Sequence, residues 1–131
     1  MTKNVWITGA SSGIGKALAI KFATEGWHVA ASARRENLLQ ELNSNNLNIH
    51  SFPLDIKNES RTKKVFQDIV EKFQIIDICV FCTGIHDPDA EKKLSTETIR
   101  KIMETNFFGT LNCIMAASDY FREKKGGHIS I

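Results

Sequence analysis

Val5-Trp6-Ile7-Thr8-Gly9-Ala10-Ser11-Ser12-Gly13-Ile14-Gly15 is the stretch that decides the fold. A short apolar run, Val5-Trp6-Ile7, reads as a strand. Three glycines follow, and an amphipathic segment opens at Ile14. Strand, glycine turn and helix start is the order that a phosphate-binding turn requires. Without a Cβ, glycine lets the chain turn sharply and lets its backbone approach a pyrophosphate closely. The helix start adds unpaired N–H groups and the positive end of its dipole. The ligand this stretch points to is a dinucleotide.

Working outward, short apolar runs alternate with helical faces. Residues 5–8 form the first strand. Ile14, Ala17, Leu18 and Phe22 share a helical face, with Gly26 as its stop. Residues 29–33 read as a second strand. Leu38, Leu39 and Leu42 mark a short helix, ended by the Asn/Ser-rich residues 43–46. Residues 49–54 form a third strand, with Pro53 at its end. Val65, Phe66, Ile69, Val70 and Phe73 give the clearest helix. Residues 76–82 read as a fourth strand, and the polar residues 87–93, with Pro88, as a loop. A long helical region covers 96–123, capped by Ser95 or Thr96 and open to a break near 105–107. Gly126-Gly127 ends it, and 128–131 begin a fifth strand. Alternating strands and helices predict an α/β fold: a doubly wound parallel sheet in the order 3-2-1-4-5, covered on both faces. Residues 1–131 read as one such domain, incomplete at its C-terminus.

Composition agrees with a globular domain. The 131 residues are 42% hydrophobic and 24% charged, which argues against disorder. A formal charge of +2, with only isolated pairs such as Lys63-Lys64 and Lys124-Lys125, gives no reason to expect nucleic acid. Three cysteines make no disulfide framework and suit a reducing compartment. Cys79 and Cys82 have C-x-x-C spacing, but three apart on a strand they point to opposite faces, so no metal or redox role is expected. No apolar run approaches the roughly 20 residues that span a bilayer, and no leader is evident, so the cytoplasm is the expected location.

The sequence resembles the short-chain dehydrogenase/reductase family over its whole length. Gly9-x-x-x-Gly13-x-Gly15, set in Thr8-Gly-Ala-Ser-Ser-Gly-Ile-Gly15, is similar to that family's cofactor signature. The resemblance implies that Gly9, Ser11, Ser12, Gly13, Ile14 and Gly15 meet the cofactor. NAD-binding members carry an acidic residue at the end of the second strand. This chain has Ala33 there, followed by Arg34 and Arg35. A carboxylate would repel a 2′-phosphate, whereas a guanidinium would hold it, so NADP(H) is favoured over NAD(H). Arg34 is the first choice for the phosphate and Arg35 for stacking near the adenine; Glu36 argues mildly against. Asp55, followed by Ile56, is similar to the family's adenine-contacting aspartate, with a turn cap as the alternative. The family's Asn-Asn-Ala-Gly is replaced by Phe81-Cys82-Thr83-Gly84. The two amides are gone, but Gly84 is kept where the backbone passes the cofactor, with Cys82 and Thr83 beside it. Asn106 looks like the family's catalytic asparagine, which opens a kink in its helix and helps hold a water, and the resemblance places it among the cofactor-binding residues too; a solvent-facing or capping role is the alternative.

In that family a tyrosine moves the proton, a lysine lowers its pKa and a serine orients the substrate oxygen. The serine follows the fifth strand, and Tyr-x-x-x-Lys lies on the next helix, whereas this chain stops within the fifth strand. Tyr120 and Lys124 have the spacing, but they lie about 20 Å along the helix from Asn106 and are not expected to serve. Ser130, within the strand, is no better placed. The expected function is therefore an NADP(H)-dependent short-chain oxidoreductase interconverting a carbonyl and an alcohol, represented by its cofactor-binding part. The alternatives are a non-catalytic NADP(H)-binding module and a non-functional truncated product. A small-molecule substrate and, for the complete enzyme, a homo-oligomer are the expected partners. An exposed fifth-strand edge leads one to expect poor solubility.

Overall fold

The computed structural model describes residues 1–90, 92 and 94–131. Five strands, β1 (Asn4–Thr8), β2 (His28–Ser32), β3 (Ile49–Ser51), β4 (Ile78–Phe81) and β5 (His128–Ser130), form one sheet in the order β3-β2-β1-β4-β5. Every pairing is parallel. The helices are α1 (Gly13–Thr24), α2 (Glu36–Asn45), α3 (Glu59–Phe73), α4 (Thr96–Met103) and α5 (Thr110–Lys124). This is the doubly wound order expected of the sequence.

Central β1 is buried at all five residues. Its alternation sends Val5 and Ile7 into one core with α1 and α2, and Trp6 into the other with α3 and α5. The Trp6 indole donates to Ser32 Oγ at 2.9 Å, so its one polar atom is satisfied inside the core. Phe66 and Phe81 pack on it with ring centroids 5.2 and 5.3 Å away.

Several readings change in the structure. Along α1, Ile14 is 76% exposed and Ala17 is exposed, while Leu18 and Phe22 are only half-buried. The buried stripe is Gly15, Ala19 and Ala23. Small residues four apart let this helix lie close against the sheet, so its larger apolar side chains are pushed to the flanks. The regular ladder of β3 stops at Ser51, short of the expected 54. Yet Phe52 and Leu54 N–H still donate to Ala31 and Ala33 carbonyls, at 2.9 and 3.0 Å. Pro53, with no N–H, falls between those two donors on an edge strand, where it is tolerated. α2 runs through the Asn/Ser stretch to Asn45. Asn46 Nδ2 then donates to Leu42 O at 3.1 Å, and the Asn43 side chain donates to Ile49 O.

The ladder of β4 likewise spans 78–81 rather than 76–82, but Asp77 N and Cys82 N still bond to Asn4 O and Thr8 O of β1. The break expected near 105–107 is present: Glu104–Gly109 winds as a π-helical turn between α4 and α5. Ser95, rather than Thr96, caps α4 and accepts from Thr98 N at 3.1 Å. Within the predicted loop 87–93, Asp87 closes a turn onto Asp89 and Ala90, while Glu91 and Lys93 lie outside the described residues. Among the described residues no helix is long and apolar enough to cross a membrane.

Candidate functional site

A cleft of about 290 Å³ opens at the C-terminal ends of β1, β2 and β4, where ligands bind in open parallel sheets. Its floor is the glycine turn. Gly9 has φ +68°, and a Cβ there would come within 2.8 Å of the Cys82 carbonyl carbon and oxygen. The turn and the exit of β4 are therefore packed backbone to backbone. A Cβ on Gly15 would lie 2.7 Å from the Gly9 carbonyl carbon and closer still to its oxygen. Only glycine lets α1 begin directly against the turn. Ala10 N donates to Ser32 O at 3.1 Å and ties the turn to β2.

The start of α1 differs from those of α3 and α4. Asn58 and Ser95 cap the latter two through side-chain hydrogen bonds, and Glu59 and Glu97 sit in their first turns. Ser12, at the same place on α1, makes no side-chain bond to its helix, and the first turn has no acidic residue. The first N–H groups of α1 and the positive end of its dipole are left for a ligand in the cleft. The Ser11 and Ser12 hydroxyls instead accept from Arg35 Nη2, at 3.1 and 3.0 Å. Arg35 thus reaches across to the glycine turn, where the sequence had suggested Arg34 as the phosphate partner and Arg35 as a stacking residue. Arg34 lines the cleft as well. Glu36, the adjacent carboxylate, accepts from Gln40 Nε2 at 3.3 Å along its own helix.

Gly9, Ser11, Ser12, Gly13, Ile14, Gly15, Arg34, Arg35, Asp55, Ile56, Cys82, Thr83 and Gly84 all line this one cleft. Asp55 also does what its alternative reading anticipated. Its Oδ1 accepts from Lys57 N at 3.1 Å, and its Oδ2 lies 3.8 Å from Lys57 Nζ. Ala33, Leu54, Ile85 and Thr105 line the cleft too and were not foreseen. Each is the chain neighbour of a residue that was, so extension by one residue along the chain would have found them.

Asn106 is not in the cleft wall; its neighbour Thr105 is. It sits in the π-helical turn, with both ends of its amide engaged by one residue. Oδ1 accepts from Ile85 N at 2.7 Å, and Nδ2 donates to Ile85 O at 2.9 Å. The asparagine clamps the backbone just past Gly84 and thereby holds that edge of the cleft in place. Tyr120 is far from this edge, as expected. Its hydroxyl accepts from Ile76 N at 3.1 Å, ahead of β4, and Lys124 Nζ lies 5.8 Å from its ring centroid.

All three cysteines are free. Burial pushes the Cys113 thiol up to about 12 and raises Cys79 further, and Cys82 is also raised by burial. Among the described residues no group of three or more His, Cys, Asp or Glu is placed to hold a metal. The donor set of the cleft suits a polyanion: backbone N–H groups, the hydroxyl residues Ser11, Ser12, Thr83 and Thr105, and two guanidinium groups, with the Asp55 carboxylate also in the lining.

Comparison with known proteins agrees. The chain is 25% identical to the 3-oxoacyl-[acyl-carrier-protein] reductase FabG of Staphylococcus aureus over 98% of its own length and 54% of the reductase. It is 32% identical to the human dehydrogenase/reductase SDR family member 7, over 95% of this chain and 39% of that one. The solved structure of ElxO with NADP bound superposes with a TM-score of 0.88 at 32% identity, covering 98% of this chain and 54% of ElxO. The chain thus spans about half the length of relatives such as FabG. The family model described as short chain dehydrogenase matches residues 3–130, and the chain belongs to that family.

Proposed function

We propose that this cleft binds NADP(H) and serves an oxidoreductase that interconverts a carbonyl and an alcohol on a small molecule. The observation that carries the reading is the start of α1, free of side-chain capping, reached by Arg35 and sharing its cleft with Arg34. Its N–H groups would hold the pyrophosphate, and Gly9 and Gly15 keep the backbone low enough for it to sit there. Arg34 and Arg35 would hold the 2′-phosphate, with Ala33 at the end of β2 offering no carboxylate to a ribose hydroxyl. Asp55 and Ile56 would border the adenine. Cys82, Thr83 and Gly84 would lie along the nicotinamide ribose. When bound, the cofactor supplies or accepts the hydride. Asn106 acts by fixing Ile85 and the β4 exit, the role we assign to it in catalysis. A bound NADP in ElxO and the reductase name of FabG support the same reading.

Binding tests it. Isothermal titration with NADPH and NADH should show NADPH bound at least about tenfold more tightly, the worth of one charge-assisted hydrogen bond to phosphate. Replacing both Arg34 and Arg35 with alanine should erase that difference while leaving NADH binding nearly unchanged. Equal affinity for the two cofactors, or no binding of either, would overturn the proposal.

A further inference from the structure

A second pocket, of about 480 Å³, lies between the loop after β4 and the first turns of α4. Arg34 and Ile85 line both it and the nucleotide cleft. Helix α4 presents Glu97, Thr98, Lys101 and Ile102 to the new pocket, residues spaced to share one helical face. Its charged lining is therefore Arg34, Lys101, Asp87 and Glu97, with His86 beside them.

The two signs are not used alike. Asp87 Oδ1 accepts from Asp89 N at 2.9 Å, so this carboxylate is engaged in its own turn. Glu97 and Lys101 are four apart in the order that favours pairing on a helix. Some helical pairs four apart close, Glu59 with Lys63 in that order and Lys21 with Glu25 and Lys64 with Asp68 in the reverse one. Among the described residues Asp68 and Lys72 do not, nor do Glu97 and Lys101, and no ion pair there includes Lys101 or Arg34. Arg35 differs, being bonded to Ser11 and Ser12. Two cations from different elements, both without a carboxylate partner among the described residues, thus line one pocket that shares Arg34 and Ile85 with the nucleotide cleft. A doubly charged anion with several acceptor oxygens fits between such groups, and a phosphate monoester is the ligand of that chemistry.

We infer that Lys101 joins Arg34 in holding the 2′-phosphate of the NADP(H) adenosine, which makes this α4 lysine a residue that determines cofactor specificity. The inference rests on the nucleotide reading above. Lys101 is exposed, so its replacement should leave the fold intact, and an unchanged melting temperature would verify this. The test is titration of the full chain and of Lys101→Gln with 2′,5′-ADP, 5′-AMP and inorganic phosphate. Lys101→Gln should weaken 2′,5′-ADP about tenfold and leave 5′-AMP within about twofold. Glu97→Gln, which removes a repelling charge, should tighten 2′,5′-ADP and not 5′-AMP.

Equal 2′,5′-ADP affinity in Lys101→Gln and the unaltered chain overturns the inference. If Arg34→Ala still weakens 2′,5′-ADP in that case, the nucleotide reading survives without it. If the unaltered chain binds neither adenosine phosphate, the nucleotide reading fails and takes the inference with it. Inorganic phosphate that binds through Lys101 while 2′,5′-ADP ignores that residue would assign the pocket to a separate phosphate-bearing ligand, and this too refutes it.

Discussion

Gly15→Ala should strongly destabilise this protein. The new Cβ would meet only backbone: the Gly9 carbonyl group inside normal contact and Ala10 N at 3.2 Å. No side-chain rotation can relieve that overlap, so the start of α1 must rise from the turn by roughly 1 Å. The shift would be carried down the tight Gly15, Ala19 and Ala23 stripe. Overpacking against backbone belongs at the upper end of its range, about 3 kcal/mol. For a chain of this length that lowers Tm by about 10 °C. Gly13→Ala is the control. Nothing lies within 4 Å of its added Cβ, and the only cost is holding φ near +55°, about 1 kcal/mol or roughly 4 °C. Thermal and urea unfolding followed by circular dichroism would measure both, with NADPH titration of the folded variants. Gly15→Ala should also lose more than about tenfold in NADPH affinity, because the displaced turn is the phosphate cradle. A Gly15→Ala variant within 1 kcal/mol of the unaltered chain, or one more stable than Gly13→Ala, would refute the packing argument.

Tyr120→Phe removes the acceptor for Ile76 N and should cost about 1 kcal/mol of stability in urea unfolding. It should leave NADPH affinity unchanged; a change in affinity would contradict its placement ahead of β4. Burial, then Lys72 and His28, holds the His50 imidazole below its ordinary value of 6.5. The unfolded chain therefore takes up the proton first. Stability is complete above that value and falls as pH drops through it toward the lower folded-state pKa. Urea unfolding at several pH values should show the loss, and His50→Gln should flatten it; an identical pH profile in the variant would remove His50 as the cause. Of three free thiols only Cys82 lines the cleft, and the other two are buried. A thiol-specific alkylating reagent should modify one cysteine in the native protein and three in denaturant. NADPH should slow the native reaction, and labelling at an unchanged rate with NADPH present would argue against occupancy of this cleft.

The strand order and the phosphate turn were legible because they rest on local signals. An apolar run, a glycine spacing and a helix start occupy eleven consecutive residues, and their geometry depends on little else. The π-helical turn was legible as a weakness, since an asparagine in mid-helix disfavours regular winding. The buried face of α1 was not legible. Apolar periodicity assumes that the largest hydrophobic side chains turn inward, and close packing against a sheet reverses this: Gly15, Ala19 and Ala23 go in while Ile14 goes out. The end of β3 was misjudged for a related reason. Hydrogen bonds to β2 persist through Leu54, but Pro53 interrupts the regular ladder. At the site, residue types indicated which groups belong together but not how they divide the work. The bond from Arg35 to Ser11 and Ser12 depends on where α2 begins relative to α1, a tertiary fact. The same holds for the grip of Asn106 on Ile85, 21 residues away in sequence.

The π-helical turn also works as a phase shifter. A wider turn stores one residue more than an α-helix needs over the same rise, and one residue is worth about 100° of rotation. The helix on either side of Glu104–Gly109 therefore follows two separate angular clocks. After it, Thr110, Cys113, Ala117 and Phe121 keep time with the sheet and are buried; before it, no residue of α4 is. Deleting one residue inside the turn would reset the two clocks to one. It would swing Lys101 and its neighbours about a quarter-turn around the axis and withdraw Asn106 from Ile85. A single codon thus separates a continuous rod from a helix whose two halves answer to different neighbours.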